Sequence, residues 1–153
     1  MNVAVTPAVL HPLLDQLFSK HGFVAVHAST VEEFLSEAGT AVLLFMEDPM
    51  RVRETLDLAV IGPELAQAFA GRFRVGVALV DAARALQPRY GFRRFPALVM
   101  LRDGEYVGAI DGVRNWQDYI DEMCRLLAAP PTRPPTIGIA VHGASVGGAG
   151  CAH

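Results

Sequence analysis

The sequence predicts an α/β fold, a mixed central sheet with helices on both faces, and three observations predict it. Short apolar runs at residues 23–26, 41–46 and 72–80 are separated by segments of helical period, the pattern of strands joined by parallel crossovers. "ALVMLRDGEYVGAI" (residues 97–110) then reads as two strands turning on Asp103-Gly104, the strongest short hairpin signal in the chain. Last, Trp116, Tyr119, Ile120, Met123, Leu126 and Leu127 share one face of a terminal helix. Parallel crossovers followed by an antiparallel hairpin make the sheet mixed.

Taken in order, residues 8–20 carry Val9, Leu10, Leu13, Leu14, Leu17 and Phe18 at helical spacing and stop at Gly22, which predicts an amphipathic helix. "FVAV" is too short for a helix and reads as a strand. Ser29 with Glu32 three residues on predicts a capping box, opening a helix of about two turns that ends at Gly39. "AVLLFM" (41–46) is a continuous apolar run, as expected of a strand buried on both faces. The stretch from Glu47 to Gly62 gives no clear element. Pro63 predicts a fresh helix start, "PELAQAFAG", with Gly71 near its end. "RFRVGVALV" reads as the next strand, and "DAARALQPRY" as a short helix broken by Pro88. Asn115 caps the last helix.

From Pro130 the chain is rich in Pro and Gly, nearly uncharged and without amphipathic period. Residues 1–129 are therefore expected to form the domain, and 130–153 an extended or mobile tail. With 153 residues, 52% hydrophobic and 19% charged, the chain can bury a core and is too apolar for disorder. Its net charge of −3 offers no basic footprint for nucleic acid, so a cationic partner fits better. No Lys or Arg precedes Lys20, unlike a secretory signal, and no apolar run approaches the ~20 residues of a membrane span. A cytoplasmic protein with no membrane insertion is expected. Cys124 and Cys151 form neither a CxxC nor a disulfide framework, which suits a reducing compartment.

"YGFRRFPALVMLRDGEYVG" carries a first resemblance: Tyr90-Gly91-Phe92, then Phe95-Pro96, an apolar strand and Asp103-Gly104 resemble the thioredoxin fold. The resemblance implies that Pro96 is cis and borders a cleft. It also sets the two cysteine positions of that family near Met50 and Arg53, in "DPMRVRE". Thiol–disulfide exchange needs an attacking thiolate and a second sulfur, and these residues supply neither. The chain is expected to keep the cleft without the chemistry, as a binding protein and not an enzyme.

A closer match covers nearly the whole chain. "HPLLDQLFSKHGF", "DLAVIGPELAQAF", "RYGFRRFPALVMLRDGEYVGAIDGVRNWQDY" and "RPPTIGI" resemble the hydrogenase expression proteins of the HyaE/HupG type, thioredoxin-like accessory proteins without the cysteine pair. That resemblance implies a chaperone in maturation of a nickel–iron (NiFe) hydrogenase. Its partner would be the hydrogenase small subunit precursor, bound through the twin-arginine signal peptide, with other hydrogenase accessory proteins as further partners. Two alternatives stand beside it: a scaffold docking other maturation factors through the opposite face or the tail, and a weak redox protein using Cys124 or Cys151.

A reader of two guanidinium groups followed by an apolar stretch needs carboxylates beside a hydrophobic groove. Glu47, Asp48, Glu54 and Asp57 lie near the expected cleft. Glu47 and Asp48 are preferred because they follow the buried strand at its carboxyl end, where open α/β sheets bind ligands. Each of the four also reads as a solvated surface acid, and Asp57 as a partner of Arg51 or Arg53. The partner-binding set is therefore Glu47, Asp48, Met50, Arg53, Glu54, Phe95 and Pro96. Phe45 and Met46 read first as core; Met50, in a loop after Pro49, offers an adaptable apolar surface. Arg93 and Arg94 read as solvated or paired with local acids. His11, His21, His27, His142, His153 and Cys151 fit no established zinc spacing, so no metal or cofactor is expected. Cys124 reads as a small apolar residue of the last helix, and Trp116 as packing at its start.

Overall fold

The computed structural model describes residues 10–136. Among them β1 (Val24–Ala25), β2 (Thr40–Phe45), β3 (Arg74–Ala78), β4 (Ala97–Arg102) and β5 (Glu105–Asp111) form one sheet in the order β1-β3-β2-β4-β5. β1 and β2 run parallel to β3, while β4 is antiparallel to β2 and β5 to β4. Helices α1 (Pro12–Ser19), α3 (Thr55–Ala68) and α5 (Trp116–Ala128) cover one face; α2 (Val31–Leu35) and α4 (Val80–Tyr90) cover the other. This is the expected mixed, thioredoxin-like sheet.

β2 shows why its sequence has no polar alternation. Val42, Leu44 and Met46 enter the core under α1, α3 and α5, whereas Ala41, Leu43 and Phe45 enter the core under α2 and α4. The hairpin turns where expected: Asp103 and Gly104 both have positive φ, 51° and 80°, which matches the twist of the flanking strands. Asp103 is also tied to the entry of β2. Its N–H donates to the Gly39 carbonyl at 2.9 Å, and the Gly39 N–H donates to Asp103 Oδ1 at 2.7 Å. Asn115 caps α5 as expected, accepting the Asp118 N–H at 2.8 Å.

Several boundaries differ from the sequence expectation. α1 begins at Pro12, with His11 Nδ1 accepting the Leu13 N–H at 3.1 Å. Ser29 and Glu32 form no capping box: Thr30 is the N-cap of α2, and its hydroxyl instead accepts the His27 N–H at 2.9 Å. α2 stops at Leu35, well before Gly39. α3 begins at Thr55 and runs through Pro63, which does not open a helix. Leu58, Ala59, Gly62 and Leu65 are buried along that helix, and a Cβ on Gly62 would lie 2.8 Å from Leu44 Cδ1. Packing of this face outweighs the roughly 3 kcal/mol that an interior proline costs. α4 likewise continues past Pro88, because Ala82, Ala83, Leu86 and Tyr90 hold it to the core until Gly91, φ 70°, ends it. The third strand ends at Ala78, since Val80 already belongs to α4.

Trp116 is 44% exposed and does not pack as expected. Cys124 is buried on α5, but it is disulfide-bonded and not the simple apolar thiol expected. Residues 130–136, assigned to the tail, have no helix or strand. They are nonetheless anchored, with the Thr132 N–H donating to the Tyr106 carbonyl at 2.8 Å. His142, Cys151 and His153 lie outside the described residues. No helix among the described residues is long and apolar enough to cross a membrane.

Candidate functional site

β2 delivers Glu47 and Asp48 to the carboxyl end of the parallel strands. Met46 still belongs to the sheet edge, its N–H donating to the Ala78 carbonyl of β3 at 2.9 Å. In the antiparallel pairing Phe45 faces Ala97, so the residue before Ala97, Pro96, sits at the same end of the sheet as Met46 and Glu47. The Phe95–Pro96 peptide is cis. The Gly112 N–H donates to the Pro96 carbonyl at 2.8 Å and holds the proline from the β5 side. Aromatic rings join the two sides: Phe45 packs on Phe92 with centroids 4.8 Å apart, and Phe92 meets Phe95 edge to face at 5.3 Å.

Glu47 is occupied within the chain. Arg84, from the first half of α4, donates Nε–H to Oε2 at 3.0 Å and Nη2–H to Oε1 at 2.7 Å, and the Asp48 N–H adds a third hydrogen bond at 2.8 Å. The Arg84 hydrogen bonds hold the Glu47 carboxyl below its ordinary value of 4.5, against the opposing effect of burial. Asp48 shapes the loop that follows: its Oδ1 accepts the Met50 N–H at 2.9 Å, and its carbonyl accepts the N–H groups of Arg51 and Val52. The two acids preferred from the sequence are therefore the two with internal work. Arg84 was missed because it stands 37 residues from Glu47 with no local signal.

The loop they build projects Met50, which is 90% exposed. Arg53, Glu54 and Asp57 are also exposed, and among the described residues none of the three side chains makes a hydrogen bond or ion pair. The expected pairing of Asp57 with Arg51 or Arg53 is absent. Arg53, Glu54, Leu56 and Asp57 instead line an open depression of about 390 Å³ at the start of α3. Phe95 is half-buried and Pro96 buried, and no hydrogen bond joins either of them to residues 47–57 among the described residues.

Arg94 approaches Asp111 at 3.9 Å, and the Arg93 backbone N–H donates to the same carboxylate at 3.1 Å, so Asp111 organises this segment. Among the described residues no three His, Cys, Asp or Glu side chains gather as a metal site. Met50 and Arg53, at the positions the resemblance gives to the cysteines, cannot carry out thiol exchange. Cys124 is 9% exposed and disulfide-bonded, so it is not the single free thiol that the redox alternative invoked. The arrangement supplies an exposed methionine in the loop after β2 and, at the start of α3, a depression lined by an arginine and two carboxylates that have no ion-pair partner among the described residues.

A family model described as hydrogenase-1 expression protein HyaE matches residues 13–119. The hydrogenase expression/formation protein HoxO of Cupriavidus necator is 40% identical over 145 residues, covering 94% of this chain and 90% of that protein. HupG of Bradyrhizobium diazoefficiens is 37% identical over 127 residues, 80% of this chain and 86% of that one. A crystal structure of a candidate hydrogenase expression/formation protein hupG from Rhodopseudomonas palustris CGA009 is 32% identical and covers 69% of this chain and 95% of that chain, with a TM-score of 0.49.

Proposed function

The chain belongs to the HyaE family of hydrogenase expression proteins, and from that premise we propose that it is a non-catalytic chaperone for the small subunit precursor of a nickel–iron hydrogenase. It binds the twin-arginine signal peptide in the cytoplasm, before export. The observation that carries this reading is the exposure of Met50, Glu54 and Asp57 along the loop after β2 and the start of α3. A 90% exposed methionine stands in the loop that leads into α3, whose N-cap Glu54 and first-turn Asp57 carry carboxylates without hydrogen-bond or ion-pair partners among the described residues. A twin-arginine segment brings complementary chemistry, guanidinium groups next to an apolar stretch.

Within this reading Glu47 and Asp48 build the loop, and Glu54 and Asp57 meet the guanidinium groups. Met50 covers the apolar part, with Phe95 and Pro96 as the opposite wall, while Arg53 orients peptide carbonyls. The test is calorimetric titration with the small-subunit signal peptide and with a version whose two arginines are lysines. Weaker binding of the lysine version supports the reading, because lysine cannot reproduce bidentate guanidinium–carboxylate pairing. Equal binding of both sinks it.

One observation favours the scaffold reading. Val24, on edge strand β1, is 53% exposed beside a groove of about 240 Å³ between β1 and α2. A maturation factor retained after Met50→Ser but lost after Val24→Asp would locate the partner there.

A further inference from the structure

The start of the C-terminal segment is fastened at three points. Arg102, at the end of β4, donates from its guanidinium to the carbonyls of Ala129, Leu127 (3.0 Å) and Leu126 (3.3 Å), which fixes the direction in which the chain leaves α5. Three residues further on, the Thr132 N–H is bonded to Tyr106 of β5 at 2.8 Å. Then the Pro135 backbone lies directly on Gly91: a Cβ added at Gly91 would overlap the Pro135 carbonyl. Gly91 thus has two reasons to lack a side chain, its left-handed φ of 70° and this contact.

Gly91 also opens the segment that leads into the cis proline. Behind it, the Gly91 N–H donates to the Gln87 carbonyl at 2.9 Å, and Gln87 Nε2 donates to the Phe92 carbonyl at 3.1 Å. Ahead of it, Phe92 packs on Phe45 and Phe95, and the Arg93 N–H reaches Asp111. Tyr90, just before Gly91, stacks on Tyr106, the residue that accepts the Thr132 bond, with centroids 6.3 Å apart. No side chain at position 91 separates the C-terminal segment from this chain of contacts, so a displacement of one is felt by the other.

We infer that residues 129–136 form a strap that sets the conformation of residues 91–96, so that displacing the strap loosens the cis-proline wall of the cleft and weakens ligand binding there. The effect on affinity rests on the signal-peptide reading above; the effect on the 91–96 segment does not.

Two variants of the full chain displace the strap from opposite sides. Gly91→Asn keeps a residue that tolerates positive φ but adds a Cβ against Pro135. Thr132→Pro deletes the N–H that bonds Tyr106. Nuclear magnetic resonance of the wild type should show a Gly91–Pro135 proton contact, lost in each variant. Amide exchange at Arg93 and Gly112 should rise roughly five- to tenfold, the worth of one hydrogen bond, with Asp103 in the hairpin unchanged. The double variant should add little to either single change, because the strap is already displaced.

No Gly91–Pro135 contact in the wild type, or wild-type exchange at Arg93 and Gly112 in both variants, would overturn the inference. Faster exchange with weakened signal-peptide binding supports it in full. Faster exchange with unchanged affinity overturns its second half, the effect on ligand binding. If the wild type itself binds no peptide, faster exchange still supports the strap while the signal-peptide reading falls.

Discussion

Arg84 on α4 holds Glu47 at the end of β2 through two parallel hydrogen bonds, Nε to Oε2 at 3.0 Å and Nη2 to Oε1 at 2.7 Å. The pair closes the gap between the two elements and leaves Glu47 unavailable to a ligand unless Arg84 is displaced. Arg84 lowers the Glu47 carboxyl from its ordinary 4.5. A carboxyl lowered in the folded state contributes stability above its unfolded value and loses that contribution as pH falls through the folded one. Thermal unfolding from about pH 7 to about pH 3 should therefore show the melting temperature of the wild type falling more steeply below 4.5 than that of Glu47→Gln. Parallel curves would mean that the pair does not contribute.

Glu54→Gln with Asp57→Asn separates electrostatic recognition from folding. Both residues occupy the N-terminal end of α3, where a negative charge is worth about 0.3–1 kcal/mol each, so a modest loss of stability is expected. Signal-peptide binding should weaken and lose most of its dependence on ionic strength, since exposed carboxylate–guanidinium contacts are screened by salt. Salt dependence that survives the double change would place the guanidinium partner elsewhere.

Met50→Ser tests the apolar tip. At 90% exposure the side chain contributes little to the fold, and the change in stability should stay within about 0.5 kcal/mol. Affinity for the peptide should fall by roughly tenfold, as for loss of 1–2 kcal/mol of apolar contact. Unchanged affinity would remove Met50 from the binding surface.

Gly76→Ala should destabilise by about 1–3 kcal/mol, the cost of overpacking a filled core. A Cβ at that position would stand 2.8 Å from Val26 Cγ2 and 2.9 Å from the Phe34 ring, so both side chains must give way. Denaturant unfolding decides it; a neutral result would show that the β1 edge gives way freely.

Tyr90→Phe should be neutral to slightly stabilising. The Tyr90 hydroxyl is buried and has no hydrogen-bond partner among the described residues, while its ring keeps its contacts with Phe45 and Tyr106. Removing a buried polar atom that lacks a partner relieves desolvation. A loss above about 1 kcal/mol in chemical denaturation would reveal a bond to this hydroxyl.

The candidate site was legible only where its signal is local. Met50 was separable from Phe45 and Met46 because it follows Pro49, outside the apolar run, and it is exposed while they are buried. The internal partner of Glu47 was not legible, for the opposite reason. Adjacency to β2 favoured Glu47 and Asp48, but adjacency also brings Glu47 within reach of Arg84, which the β2–α3–β3–α4 connection returns to the same end of the sheet. Glu54 and Asp57 lack such a partner among the described residues, and no spacing rule says so.

By itself the sequence determined the mixed sheet, the Asp103-Gly104 turn, the Asn115 cap and the absence of thiol chemistry at Met50 and Arg53. Each depends on short-range patterning or on the atoms a side chain does or does not carry. Tertiary structure alone decided that α3 and α4 pass through Pro63 and Pro88, that Glu47 belongs to Arg84, and that Gly91 lies under Pro135. These depend on contacts between residues far apart in sequence. There the burial of a whole helix face outweighs one lost backbone hydrogen bond, and the folded path of the chain, not its spacing, selects the partner.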